Sequence, residues 1–274
     1  MRLRLVGRSI RAVNTYTGCP ILAPFFRRKG GRPQHYLRAG SIICLLCLLC
    51  NARPASAAAA NVVVAHVEFT GGSASRHDSA ADRKAQTVIW LTPLDRQQAP
   101  ALEPRSYTMV QQNKMFFPHL LVMPVGSTVS FPNKDPFFHN VFSFFNGRRF
   151  DLGLYQSGQS RSVAFNRVGV SYIFCNIHPE MSAVILTLDT PWFGTANEHG
   201  DIAVSGVPAG VYTLQVWSEA ASPDAMKLLA RRVTVADGAR TDLGAISIHV
   251  APNMLSEHLN KFGQAYDTHT LPAY

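Results

Sequence analysis

The sequence predicts an all-β protein built as two β-sandwich units in tandem. Three observations carry that expectation. From Asn61 onward, short runs rich in Val, Ile, Thr and aromatic residues recur at near-regular spacing. Stretches rich in Gly, Pro, Asn and Asp punctuate them. No long apolar stripe with a helical period interrupts the series.

In chain order, Val62 to Phe69 and Thr87 to Leu91 read as the first strands, separated by a polar loop from Thr70 to Lys84. Pro93 to Pro104 reads as a second loop. Tyr107 to Val110, Leu120 to Met123 and Thr128 to Phe131 follow, the last after a Gly126-Ser127 turn. Val141 to Phe144, Ser160 to Phe165, Ser171 to Cys175 and Ala183 to Leu188 complete the first unit. Beyond Pro191 come Ile202 to Val204, the turn Val207-Pro208-Ala209-Gly210, then Tyr212 to Trp217, Arg231 to Val235 and Ala245 to Val250. In Tyr212 to Trp217 the side chains alternate between apolar and mixed, as a half-buried strand requires. Four strands over residues 191–250 are marginal as an independent core, so this unit is expected to rest against the first. The boundaries expected are 61–190 for the first unit, 191–250 for the second and 251–274 for a tail with a short helix near Ser256 to Phe262. The strands before residue 92 are assigned to the first unit, although their pattern would complete either sheet.

The formal charge of +9 would fit a nucleic-acid partner, but its distribution removes that reading. Of the 26 Lys and Arg, ten lie in residues 1–57, which carry no acid; the rest of the chain has 16 bases against 17 acids, a net charge of −1. Residues 1–57 read as an export signal. A basic stretch ends at Arg38, Ala39 to Cys50 is apolar, and Ala55-Ser56-Ala57 offers a small-x-small cleavage site, with Ala58 to Ala60 as alternatives. The expected location is therefore the periplasm or another exported compartment, with membrane attachment if the leader is retained. Four of the five cysteines lie in the leader, leaving Cys175 alone in the mature chain, without a disulfide partner.

Cys175 opens the run Cys175-Asn176-Ile177-His178-Pro179-Glu180-Met181, spaced Cys-x2-His-x2-Met. A thiolate and a thioether are soft donors that suit Cu(I), and imidazole serves both copper oxidation states. The run falls between two expected strands, so three donors can converge from one tight connection. Pro179 restricts itself and His178, which stiffens that connection. His139, after the Pro- and Asn-rich stretch Pro132 to Pro136, is the best candidate for a fourth donor. Zinc fits less well, because Met is a poor zinc ligand. An iron–sulfur cluster needs more thiolates. A Cys/His nucleophile pair lacks a recognisable orienting partner and oxyanion pattern. Taken singly, each residue also has a bland reading: a small buried hydrophobe for Cys175, a loop residue for His178, core filler for Met181.

These residues resemble the cupredoxin family of blue-copper proteins, of the plastocyanin and amicyanin type. The resemblance rests on Gly126 to Asn133, on His139-Asn140-Val141, and on Gly169-x-x-Tyr172-x-Phe174-Cys175-x-x-His178-x-x-Met181, and it covers residues 105–190. It implies a Greek-key β-sandwich with one mononuclear type 1 copper ion, held by Cys175, His139 and His178 in a plane with Met181 as a weak axial donor. It also implies that His139 is the buried imidazole and that His178 is the exposed one, where electrons leave. Asn140 would tie the two ligand loops together by hydrogen bonds. The implied function is one-electron transfer to a redox partner protein docking near His178, with no small-molecule substrate and no bond chemistry. Residues 191–250 resemble carboxypeptidase-regulatory-like (transthyretin-like) modules through Gly200-Asp201 and Val207 to Tyr212. That implies a smaller β-sandwich and no activity. Chains joining both modules carry the label methylamine utilization protein, a genomic association. Two other readings stay open: a copper chaperone or storage protein using the same donors, and a metal-free interaction module of the cell envelope.

Overall fold

Alternation of apolar and polar side chains decides which face each strand buries, and here it resolves into stacked sheets. The computed structural model describes residues 61–71, 84–95, 99–144, 147–238, 240–251, 255 and 258–266. The expected leader and its cleavage site lie outside the described residues. In chain order the strands are β1 (Val62–Thr70), β2 (Thr87–Pro93), β3 (Ser106–Thr108), β4 (Val110–Gln112), β5 (Met115–Phe117) and β6 (Leu120–Pro124). Then come β7 (Thr128–Pro132), β8 (His139–Ser143), β9 (Phe150–Tyr155), β10 (Ser160–Ala164), β11 (Gly169–Phe174) and β12 (Ser182–Leu188). The last are β13 (Phe193–Thr195), β14 (Asp201–Ser205), β15 (Gly210–Ser218), β16 (Arg231–Val235) and β17 (Arg240–His249), and the short helix α1 (Pro223–Leu229) lies between β15 and β16. The all-β, sandwich expectation is met. Among the described residues no helix is long and apolar enough to cross a membrane.

The first sandwich sets the three-stranded sheet β10-β7-β3 against the five-stranded sheet β6-β12-β11-β8-β9. Met109, Met123, Val129, Phe131, Val141, Phe165, Ile173 and Ile185 fill the space between them, together with Cys175 and Met181. The pairs β3–β7 and β6–β12 are parallel, so the chain crosses between sheets instead of turning back as a hairpin. The second sandwich sets β14-β1-β17 against β13-β2-β15-β16. Its core holds Val63, Val67, Ile89, Leu91, Tyr212, Leu214, Ile246 and Ile248.

β12 explains how the two sandwiches meet. Ala183 and Ile185 point into the first core, while Val184, Leu186 and Leu188 point the other way. On that outer face they meet Val88 of β2 and Trp217 of β15, with Phe142, Phe174 and Leu255. A strand covered on both faces reads as a nearly continuous apolar run, which is how Ala183 to Leu186 reads.

One expected boundary is corrected. β1 and β2, assigned from sequence to the first unit of 61–190, pair with the C-terminal strands. β1 lies antiparallel to β14 and parallel to β17, and β2 lies antiparallel to β13 and β15. The physical reason is that Ile89 and Leu91 match the apolar face of Tyr212, Leu214 and Val216 across the β2–β15 register. The five C-terminal strands, β13 to β17, alone would leave that face open. Sequence reading also missed β4, β5, β9, β13 and α1. β9 carries Asp151 and a positive-φ Gly153 in mid-strand, which disguises it. α1 is short, though it has local start signals in the Ser222 N-cap and Pro223 at its first turn.

Candidate metal centre

The strand ends bring Cys175 and two imidazoles to one point. Cys175 follows β11, where its N–H still reaches the Met181 carbonyl at 3.2 Å. The Met181 N–H closes a turn onto the His178 carbonyl at 3.1 Å, so the connection from 175 to 181 is a tight loop. His139 is the first residue of β8, two strands along from β12 in the same sheet. The Cys175 Sγ lies 3.8 Å from His139 Nδ1 and 3.6 Å from His178 Nδ1, and the two Nδ1 atoms are 3.1 Å apart. All three residues are buried. Met181 is fully buried in the same core cluster as Cys175.

That triangle fits a bound first-row metal ion. A triangle with sides of 3.1, 3.6 and 3.8 Å has a centre about 2.0 Å from each corner, close to the roughly 2.0–2.3 Å of nitrogen and sulfur ligands on such an ion. Two imidazole nitrogens 3.1 Å apart also need a proton or a cation between their lone pairs. One thiol and two imidazoles in a dry pocket are a donor set that suits copper.

His139 is held from behind. Asp135 Oδ2 accepts from its Nε2 at 2.8 Å, which fixes the proton on Nε2 and leaves Nδ1 free to face the site. The same carboxylate accepts the N–H of Asn113 at 2.7 Å and of Lys114 at 2.9 Å, the two positive-φ residues of the β4–β5 turn. Burial raises the Asp135 pKa, but the Lys114, His139 and Asn113 donors outweigh it, and the carboxyl lies below its usual range. Asn133 shapes the loop: its Oδ1 accepts the Asp135 N–H, and its Nδ2 donates to the Phe137 carbonyl. The Phe137 ring then packs 5.2 Å from His139 and 5.6 Å from His178.

Burial sets the protonation states of the metal-free site. His139 is pushed down by burial, which exceeds the opposing pull of Asp135. His178 is pushed down to about 4, by burial first and then by its neighbour His139. Both imidazoles are therefore neutral at pH 7, the form that binds metal. Burial pushes the Cys175 thiol up, against three backbone N–H groups, of Asn140, Ile177 and His178, that favour the thiolate. A cation at the centre would supply the missing charge.

The structure brings His139, Cys175 and His178 together and puts Met181 in the surrounding core. One expectation is corrected. His178 is not the exposed imidazole: it is 5% exposed, because Phe137 and the loop cover it. Asn140, next in the chain to His139, makes two hydrogen bonds that bear on the site. Its amide donates to Asp151 Oδ1 at 2.7 Å, and its backbone N–H is the group that serves Cys175. Sequence reading missed Asp135 as the partner of His139. The signal was an acid four residues before a candidate ligand.

No protein-family model matches the chain, and no curated protein does. Several solved structures are similar over part of it. A purple cupredoxin from Nitrosopumilus maritimus is 23% identical, over 30% of this chain and 99% of its own, with a TM-score of 0.28. A copper-containing nitrite reductase from Thermus scotoductus is 25% identical over 45% of this chain, with a TM-score of 0.30, and this chain spans 28% of the reductase. A reduced amicyanin variant is 23% identical over 30% of this chain and 82% of its own, with a TM-score of 0.28.

Proposed function

We propose that this protein is an exported type 1 copper protein that carries single electrons. The observation that supports this best is the buried triangle of Cys175 Sγ and two imidazole Nδ1 atoms, sized for one ion. His139, Cys175 and His178 would hold copper, with the Met181 thioether as a further soft donor. When bound, copper supplies a one-electron couple between Cu(II) and Cu(I). The chain's own residues keep the geometry constant between those states. Asp135 locks the His139 ring, the Asn140 N–H is aimed at the thiolate, and Phe137 excludes water.

A redox partner would dock beside the 175–181 loop. Met115 and Phe117 of the β4–β5 hairpin are exposed there and share a groove with Glu180 of that loop. Electron transfer tolerates a covered His178, because tunnelling needs close approach and not ligand exposure. Delivery of the metal to an acceptor does not, since the acceptor must touch the ligands, and burial of all three counts against the chaperone reading. Nothing in this reading makes or breaks a substrate bond.

Loading the chain with Cu(II) should give an intense thiolate-to-copper absorption band, with one copper bound per chain. Cys175→Ser should abolish the band while the β circular-dichroism signal stays. A colourless copper-loaded protein, or a band that survives Cys175→Ser, would rule this reading out.

A further inference from the structure

The chain beyond the second sandwich returns to the ligand loop of the first. Leu255 is buried in the core that the two sandwiches share. The His258 ring lies flat on Phe174, the residue before Cys175, with centroids 4.0 Å apart, and meets the Tyr266 ring edge-on at 5.3 Å. The Lys261 N–H donates to Asn176 Oδ1, the residue after Cys175, at 2.9 Å. The Lys261 ammonium reaches Asp151 Oδ2 at 2.9 Å, while the other oxygen of that carboxylate holds the Asn140 side chain. The Tyr266 hydroxyl donates to the Cys175 carbonyl at 2.8 Å. One segment thus touches the residue before Cys175, Cys175 itself, the residue after it, and the carboxylate that anchors Asn140.

We propose that this segment, Leu255 with residues 258–266, clasps the metal-binding loop, with Tyr266 and Lys261 as positioning residues for Cys175 and Asn140. The proposal rests on reading the 175–181 loop as metal-binding and adds residues outside the sandwich that carries the ligands. Its physical basis is local. Ligands on loops hold their geometry less well than ligands on sheets, and Cys175 sits where the β11–β12 ladder ends. Displacing the Cys175 backbone outward requires its carbonyl to leave the Tyr266 hydroxyl. Shifting Asn140 requires Asp151 to leave Lys261, an ion pair largely shielded from solvent, with side chains 22% and 31% exposed.

The test begins with the metal-free full chain and reads alkylation of Cys175 by iodoacetamide. Peptide mass spectrometry separates it from the four other cysteines. Tyr266→Phe keeps the ring against His258 and removes the hydroxyl; Lys261→Met removes the charge, and Lys261→Arg keeps it. Tyr266→Phe and Lys261→Met should each label Cys175 about fivefold faster, the factor that loss of one ordinary hydrogen bond gives. Lys261→Arg should label like the unaltered chain. Unchanged rates in both Tyr266→Phe and Lys261→Met would overturn the clasp. So would equal acceleration in Val233→Ala, which weakens the second core and removes none of the hydrogen bonds of the clasp. Copper loading then separates the two claims. Faster labelling in a chain that gives no copper band keeps the clasp and removes the copper reading. Unchanged labelling with a normal band does the reverse. With both in place, Tyr266→Phe should shift the thiolate-to-copper band, and a merely structural tyrosine would leave it unmoved.

Discussion

Asp135 accepts three hydrogen bonds, from His139 Nε2 and from the N–H groups of Asn113 and Lys114. It therefore couples a strained two-residue turn to the orientation of an imidazole. The turn residues have φ of 56° and 55°, a region that costs non-glycine residues energy and that the carboxylate helps to stabilise. Asp135→Asn keeps the shape but offers one acceptor oxygen and an NH2 group that must face at least one donor. The expected outcome is about 10- to 100-fold weaker copper binding, the usual cost of losing a group that orients a ligand. Stability should fall by about 1–3 kcal/mol, for donors left unpaired. Competition against a chelator measures the first and urea unfolding the second; affinity within twofold of the unaltered chain would show that Asp135 does not orient His139. Cys175 and His178 were legible in sequence because a lone thiol followed at a fixed short spacing by an imidazole is rare. Asp135 was not, because a carboxylate four residues before a His on an irregular loop has no periodicity to announce it.

Among the elements, β12 faces both the first core and the shared one. It pairs with β11 on one side and β6 on the other and buries both faces. Leu186 points away from the core that holds Cys175 and Met181 into the shared one, where it is 1% exposed. Leu186→Ala should cost about 2–5 kcal/mol by urea unfolding, as buried Leu-to-Ala changes do, without moving the thiolate-to-copper band. A cost below about 1 kcal/mol would mean that the outer face of β12 is not closely packed. The strands themselves were mostly visible in sequence, since alternation and turn residues are local signals. Their partners were not. β1 and β2 carry the same apolar pattern whichever sheet they join, and their true neighbours lie more than a hundred residues away. Short strands such as β13 and the β4–β5 pair gave too few residues for a period to show.

Across the whole molecule, the two sandwiches share a buried core, and the tryptophans allow its effect on cooperativity to be measured. Trp90 lies on β2, Trp192 just before β13 and Trp217 on β15, so all three of the chain's tryptophans belong to the second sandwich. Every proposed copper ligand belongs to the first. If Val184, Leu186 and Leu188 join the bodies energetically as well as spatially, unfolding followed by tryptophan fluorescence should coincide with exposure of Cys175 to alkylation. On the proposed function, copper would bind the native site and not the unfolded chain with comparable geometry, so it should stabilise both transitions together. Free copper a thousandfold above its Kd would add about 4 kcal/mol to each. A tryptophan transition that copper leaves in place, while the Cys175 transition moves, would show that the sandwiches unfold independently. The clasp would then have to act within the first sandwich alone. The expected result is a single shifted transition, because separating the sandwiches exposes Phe174, the neighbour of Cys175, together with Trp217.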